Sequence, residues 1–397
     1  MQVTEQIQLK PSPALSALCH KAKNLYNAAN FQYRQFFFNL DEFINYYDLY
    51  VILNKSHAYK SLPAQTSEQI MKLAMKNWKA YWMALKAYKI DPSKFLGRPK
   101  MPNYKPKDGE SICIFTNQNV SIKNGYLQFP KSCYLPPIKT RIPKFNQIRI
   151  IPHQTYYMME IVYEKEERNL GLNTNRIIGI DLGVENLVTI ANNFGNVPML
   201  VKGGMIKSVN QYYNKIRAEY QSKYTEGDHY IETKHMARVT RNRMNAIHDY
   251  FHKLSHWLLE YCKSNDFGTI VIGYNPLWKQ ESNIGKCNNQ NFVSIPFAKL
   301  IAMIQYKATL VGITVVLKGE AYTSKCSFLD SEEMCHHEVY LGKRVKRGLF
   351  RSKEGILINA DVNAALNHIR HAIPNAFTVD GIVGVVLIPV SITIWCN

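Results

Sequence analysis

The chain has 397 residues, enough for two or three domains with ample cores, and 46% of them are hydrophobic. Forty-nine Lys and Arg against 30 Asp and Glu leave a formal charge of +19, which excludes an acidic disordered chain and points to a polyanion, nucleic acid before any other partner. A membrane role is disfavoured: no basic amphipathic helix stands out, and the apolar stretch 382–395 is too short for a bilayer and is broken by Pro389.

Residues 1–10 alternate apolar and polar as one strand does. From about residue 12 to 89 the pattern is helical: Leu15, Leu18, Ala22, Leu25 and Ala29 keep three-and-four spacing, as do Ile70, Leu73, Asn77, Ala80 and Ala84. Within this block Tyr26, Arg34, Lys76 and Lys79 are candidate nucleic-acid contacts, although a helical aromatic stripe is more often core. Asp91-Pro92-Ser93 ends the block. The proline-rich segment 97–107 follows, with Arg98, Lys100 and Lys105 suited to phosphate contact. Short strands over 111–115, 120–122, 126–129, 147–151 and 156–163, with a turn at Asn124-Gly125, predict a small β-barrel. The N-terminal strand is expected to belong to it, with the helical block inserted between.

A buried strand over 177–180 then presents Asp181 close to Gly183, and strands over 187–190 and 197–202 follow. A carboxylate at the tip of a central strand is well placed for a divalent metal, whereas the plainer reading is a residue capping a hairpin. The next helical region is interrupted near 226–228. Its second part opens with Arg238, Arg241 and Arg243, candidate nucleic-acid contacts, and is expected to bury Met244, Ile247, Phe251, Leu254 and Leu258. His248, His252 and His256 recur every fourth residue on what reads as an exposed side. A strand over 269–274, a helix over 296–311 and a strand over 314–318 lead to Glu320. After a basic run containing Arg344 and Arg347, also candidate nucleic-acid contacts, Asp361 opens a final helix. Three strands followed by alternating helices and strands predict an α/β sheet with mixed pairing, the order of RNase H-like nucleases. Eight cysteines without framework spacing, and no signal peptide, suggest a reducing cytoplasm.

The segment Gly179-Ile-Asp181-Leu-Gly183-Val-Glu185-Asn186-Leu resembles the first RuvC motif of TnpB, the transposon-encoded RNA-guided nucleases related to type V CRISPR effectors. Tyr322-Thr-Ser-Lys-Cys326-Ser327 is similar to that family's approach to its zinc loop, and Asn359-Ala-Asp361-Val-Asn363-Ala-Ala-Leu-Asn367 resembles its third RuvC motif. The Leu25-Tyr-Asn27 region and the tail at 374–377 also fit, so the resemblance covers nearly the whole chain. It implies a RuvC-like (RNase H-like) domain at 171–397 with a zinc-finger-like insertion near 323–358. Before it are implied a wedge-like β-barrel from 1–10 and 91–170 and an inserted helical recognition domain at 11–90. It further implies a transposon-encoded, RNA-guided DNA endonuclease of the prokaryotic cytoplasm and nucleoid. The implied partners are a guide RNA from its own locus and double-stranded DNA cut beside a short adjacent motif. The implied cofactors are two Mg²⁺ ions, with Mn²⁺ as the alternative, held by acidic side chains.

Asp181 and Asp361 match that pattern, but the family's glutamate after the fourth strand has no counterpart in 269–275. Relocation to Glu320 is the favoured explanation, since fourth and fifth strands are neighbours in this fold and Gly319 leaves room for a close approach. Glu281 and Glu185 are weaker candidates. The competing explanation is a nuclease-inactive, RNA-guided DNA-binding protein. A strand-transfer transposase rests on fold analogy alone. The zinc loop is also irregular: Cys326, Cys335, His336 and His337 are its only candidate donors, so structural zinc stays open.

Overall fold

A computed structural model describes residues 1–40, 43–226, 229–230, 232–275, 286–377 and 387–394. The chain forms two compact units, Met1–Lys165 and Glu166–Asn397.

In the first unit β1 (Gln2–Leu9) alternates exposed and half-buried positions, then the chain leaves for α1 (Pro13–Leu40), α2 (Tyr46–Leu53), α3 (His57–Lys60) and α4 (Ala64–Ile90). It returns through β2 (Cys113–Thr116), β3 (Ser121–Lys123), β4 (Tyr126–Gln128), β5 (Ile138–Lys139), β6 (Gln147–His153) and β7 (Tyr156–Glu164). β1 pairs antiparallel with β7 along all its residues, in a sheet of order β1-β7-β6-β2. β3, β4 and β5 form a second sheet, so the strands make two ladders rather than one continuous barrel. Asn124 and Gly125 turn β3 into β4 with φ of 51° and 74°, the left-handed pair that a tight hairpin requires. Leu18, Leu25 and Ala29 of α1 and Ile70, Ala74 and Trp78 of α4 share one core with Phe115, Ile148, Ile150 and Met159 of the sheet. Helices and sheet therefore stabilise each other.

The second unit is built on β8 (Ile177–Leu182), β9 (Asn186–Asn192), β10 (Met199–Lys202), α5 (Gly204–Tyr224), the short pair β11 (Thr225–Glu226) and β12 (His229–Tyr230), and α6 (Lys234–Ser264). It continues with β13 (Thr269–Gly273), α7 (Lys286–Ser294), α8 (Phe297–Thr309), β14 (Thr314–Lys318), β15 (Lys343–Lys346), β16 (Leu349–Arg351), β17 (Leu357–Asn359), α9 (Ala360–Ala372) and β18 (Val390–Ile392). The main sheet has the order β14-β13-β8-β9-β10-β18, with β8, β13 and β14 parallel and β9 antiparallel to β8. Period-two alternation divides its faces. Ile178, Ile180, Ile270 and Ile272 pack on Ile247, Phe251 and Leu254 of α6 and Leu300 and Ile304 of α8. Ile177 and Val271 face Ile369 of α9 on the other side. Between them Gly179 brings the backbone of α9 against the sheet: a Cβ there would lie 2.1 Å from the Ala365 carbonyl oxygen. This is an RNase H-like α/β domain.

The apolar stripe of α6 runs from Ile247 to Leu258, but Met244 lies outside it and is 37% exposed. Among the described residues no helix is long and apolar enough to cross a membrane.

Candidate metal centre

The parallel register fixes which residues meet at the sheet's edge. Ile272 pairs with Ile180 and Gly273 with Lys318, so Asp181, Gly273 and the residues after Lys318 lie at one level. Asp181 points to the same face as Gly179, toward α9, because the two are separated by one strand period. Glu320 follows β14 in a turn where Thr323 donates to its carbonyl through both the backbone N–H and Oγ1, at 3.3 and 2.9 Å.

α9 approaches with two working faces. Asp361, Ala365 and His368 recur at helical spacing on the side facing the strand tips, and Asn363, Asn367 and Arg370 on another. The second face holds the Glu320 loop. Asn363 Nδ2 donates to the Cys326 carbonyl at 2.9 Å and its Oδ1 accepts from Phe328 N at 2.9 Å. Asn367 Nδ2 donates to the carbonyls of Thr323 and Cys326, both at 2.8 Å, and its Oδ1 accepts from Arg370 at 2.9 Å. Both asparagines are wholly buried.

As a result Asp181, Glu320 and His368 each place a ligand-type atom within 4.8 Å of the others. His368 Nε2 lies 3.5 Å from Asp181 Oδ1, and the histidine side chain is fully buried. Desolvation raises the Asp181 carboxyl above its usual range, and the charge of Asp361 adds to it, while His368 and Arg344 oppose both. Asp361 stands at the start of α9, where the Asn359 cap accepts from Asp361 N at 3.0 Å and the helix dipole favours an anion. Its Oδ2 accepts from Asn186 Nδ2 at 2.7 Å, and Lys202 donates to that asparagine's Oδ1 at 2.9 Å. Thr189 lies opposite Asp181 in the ladder, and its buried Oγ1 has no hydrogen-bond partner among the described residues. Two carboxylates, an imidazole and a third carboxylate close by are a donor set that suits a divalent cation.

The other candidates distribute differently. Glu185 is an exposed ion-pairing residue, 2.5 Å from Lys207 and 3.5 Å from Arg347, and the Lys207 hydrogen bond holds its carboxyl below the usual range. Glu281 lies outside the described residues. Gly319 faces open space, so it is Gly273, not Gly319, whose missing side chain admits a neighbour.

Cys326, Cys335, His336 and His337 do not gather: among the described residues the one group of three or more donors within such reach is Asp181, Glu320 and His368. Cys335 Sγ and His337 Nε2 are 3.4 Å apart, but the buried Cys326 thiol donates to the Glu333 carbonyl, and burial raises its pKa. The loop is organised by Glu332 instead, whose buried carboxylate accepts from Ser327 N at 2.7 Å and Leu341 N at 2.8 Å.

Of the candidate nucleic-acid contacts, Lys76, Lys79, Arg98, Lys100, Lys105, Arg238, Arg344 and Arg347 are exposed, and Arg241 is half-buried. Three others serve the interior. Tyr26 is buried and its hydroxyl accepts from Asn77 at 2.9 Å. Arg34 donates to the Pro102 carbonyl at 2.7 Å and stacks on Tyr104. Arg243 joins α5, α6 and α7 by donating to Asn210 and the Ser294 carbonyl, both at 2.7 Å. The α1 contacts belong to a stripe of His20, Lys23, Asn27, Asn30 and Arg34 that grips the backbone carbonyls of Gly109, Lys107, Lys105 and Pro102 in turn. A proline-rich segment with little internal hydrogen bonding needs such outside partners. Of the residues at the centre, His368 and Thr189 escape a sequence reading, and Asn186 is read only as part of a motif, without a role. The one available signal was that His368 sits two helical turns after Asp361.

Residues 160–278 match the OrfB_IS605 family, described as "Probable transposase", and residues 297–368 match "Cas12f1-like, TNB domain". The TnpB-like protein ORF457 of Acidianus two-tailed virus is 28% identical over 210 residues, covering 50% of this chain and 42% of that protein. The CRISPR-associated endodeoxyribonuclease Cas12f1 of Sulfoacidibacillus thermotolerans is 26% identical over 231 residues, covering 55% of this chain and 50% of that protein. The matches thus span about half the length of these curated relatives. The protein in a cryo-EM structure of a Cas12f1–sgRNA–target DNA complex shares the fold, with a TM-score of 0.57 at 15% identity over 89% of this chain and 81% of that one. The first family match carries the strand of Asp181 and the second carries Glu320, Asp361 and His368, so the chain's similarity to TnpB-like and Cas12f1 proteins includes the residues of this centre.

Proposed function

We propose that the chain is an RNA-guided DNA endonuclease that hydrolyses phosphodiesters with divalent metal ions held by Asp181, Glu320 and Asp361. The observation that carries this reading is the convergence of Asp181 and Glu320 within 4.8 Å, from strands that the parallel β13 separates by one position. An inactive descendant has no physical need to hold two carboxylates this close against their mutual repulsion. Two divalent ions, Mg²⁺ or Mn²⁺, would there supply an activated water and stabilise the leaving oxygen. The residues' part is to hold and orient. Asn186 fixes one oxygen of Asp361, Thr323 fixes the turn of Glu320, and α9 fixes both.

The relative that is named an endodeoxyribonuclease, and the fold shared with a protein solved bound to guide RNA and target DNA, support the partners proposed here. So does the charge of +19. In this reading the segments 1–10 and 91–170 with the helices of 11–90 bind the guide and the duplex beside the target. The exposed Lys76, Lys79, Arg98, Lys100 and Lys105 are their phosphate contacts. Arg238, Arg241, Arg344 and Arg347 contact nucleic acid near the nuclease centre.

The test is Glu320→Gln, which keeps shape and removes charge. Cleavage of a guided target should fall by at least a hundredfold while guided DNA binding is unchanged. If Glu320→Gln cuts normally while Asp181→Ala does not, the third acid lies elsewhere. A native protein that binds guide and target but never cuts with Mg²⁺ or Mn²⁺ would establish the binding-only function instead.

A further inference from the structure

The strand tip opposite α9 is shaped around one imidazole. A Cβ built on Gly273 would stand 2.2 Å from His368 Nε2 and 2.3 Å from Cε1, far inside contact distance. The ring therefore occupies the space that any other residue's side chain at 273 would take. Burying a histidine completely is costly unless its nitrogens are satisfied. Among the described residues Nδ1 has no hydrogen-bond partner, and Nε2 makes one long contact, 3.5 Å to Asp181 Oδ1. Packing explains the ring poorly, since its polar capacity is aimed at two carboxylates and little else.

We propose that His368 is itself a metal ligand, supplying Nε2 to the ion that Asp181 and Glu320 hold, and that Gly273 is side-chain-free in order to admit it. The proposal rests on the reading of Asp181 and Glu320 as metal ligands. Its consequence is selectivity. Mg²⁺ prefers oxygen donors, whereas an imidazole adds affinity for first-row transition ions. The mixed set therefore favours Mn²⁺ over Mg²⁺ relative to an all-carboxylate site. His368 also has an indirect alternative role, donating to Asp181 and orienting it without touching the metal, and the experiment separates the two.

The full chain, stripped of nucleic acid at high salt, is titrated with Mn²⁺ and examined by pulsed electron paramagnetic resonance. The bound ion should show ¹⁴N coupling, replaced by a ¹⁵N signature when the histidines are labelled. His368→Asn should abolish that coupling, weaken Mn²⁺ binding at least tenfold, and weaken Mg²⁺ binding less. Gly273→Ala leaves the histidine present but displaces its ring, and should also abolish the coupling. Bound Mn²⁺ without nitrogen coupling in the unaltered protein overturns the proposal, as does an unchanged Mn²⁺ preference in a folded His368→Asn. If that variant fails to fold, the spectrum of the unaltered protein decides alone. Asp181→Asn and Glu320→Gln report on the underlying reading: if both bind Mn²⁺ like the unaltered protein, the site itself is misassigned, whatever the histidine does.

Discussion

Asn367 shows how a single buried amide can govern chemistry it never touches. It donates to two carbonyls of the loop after Glu320 and accepts from Arg370. Asn367→Ala takes the side-chain donor from the buried Thr323 carbonyl and one of two from the Cys326 carbonyl, while Arg370 keeps its bond to the Glu332 carbonyl, which should cost about 1–3 kcal/mol of stability. Denaturant unfolding of the full chain measures it. Cleavage at temperatures where the variant stays folded should fall as well, because Glu320 loses its support. A second residue-scale consequence concerns His248 and His252 of α6. They are not an exposed edge. Their Nε2 atoms lie 3.2 Å apart, half-buried, while His256 is 71% exposed. Burial first, then Lys299, His252 and Lys307, lower His248 from 6.5 to about 4, with Asp249 opposing, and burial and the same lysines lower His252. A histidine whose folded pKa is depressed takes up its proton first in the unfolded chain. Its contribution to stability is therefore complete above 6.5 and is lost as pH falls toward about 4. Thermal unfolding should show a steeper decline across that window in the native protein than in His248→Gln. Equal slopes would mean the pair is solvated.

The hairpin of β15 and β16 is the element whose position bears most on the centre. Arg344 lies 3.6 Å from Asp361 Oδ1, and Arg347 3.5 Å from Glu185 Oε1. A guanidinium group beside Asp361 disfavours a cation there, while a phosphate arriving nearby competes for the arginine and releases the carboxylate. Arg344→Ala should therefore tighten Mn²⁺ binding several-fold in low salt and weaken nucleic-acid binding. Unchanged Mn²⁺ affinity would mean the arginine is already neutralised by solvent. The same element shows what a linear chain conceals. The strands and helices of the sheet were legible because period-two and period-3.6 patterns survive in apolar residues, and the nearness of Glu320 to Asp181 followed from the adjacency of parallel strands. Which basic residues stay free was not legible. Arg34, Arg243 and Arg344 carry the same charge in sequence, and their fates depend on the carbonyls of Pro102 and Ser294 and the carboxylate of Asp361, none of them local. The same blindness chose Gly319 over Gly273, since an absent side chain matters only where a partner such as His368 fills the gap. It also left Cys326 open as a zinc donor, where the structure shows its thiol donating to the Glu333 carbonyl.

At the scale of the molecule, the apolar interior is divided as the chain is. One cluster joins α1 and α4 to the sheet of Met1–Lys165, and separate clusters fill Glu166–Asn397. The helices of residues 12–90 are thus an insertion in sequence but not a separable body in packing. Deleting them exposes the inner faces of β2, β6 and β7, including Phe115, Ile148 and Met159, which rely on those helices for cover. The deletion should unfold the remainder of the first unit outright, at a cost no domain of ordinary stability can absorb. The second unit keeps every residue of its own clusters and both walls of the candidate metal centre. The deleted protein should therefore lose all guided targeting yet retain one cooperative unfolding transition and Mn²⁺ binding close to that of the full chain. Hydrogen exchange resolves the outcome by region: protection should vanish from β6 and β7 and persist in β8, β13 and α9. Protection lost everywhere would show that the sheet of the second unit depends on the first unit to fold. Protection kept in β6 and β7 would show that the helices form a body of their own.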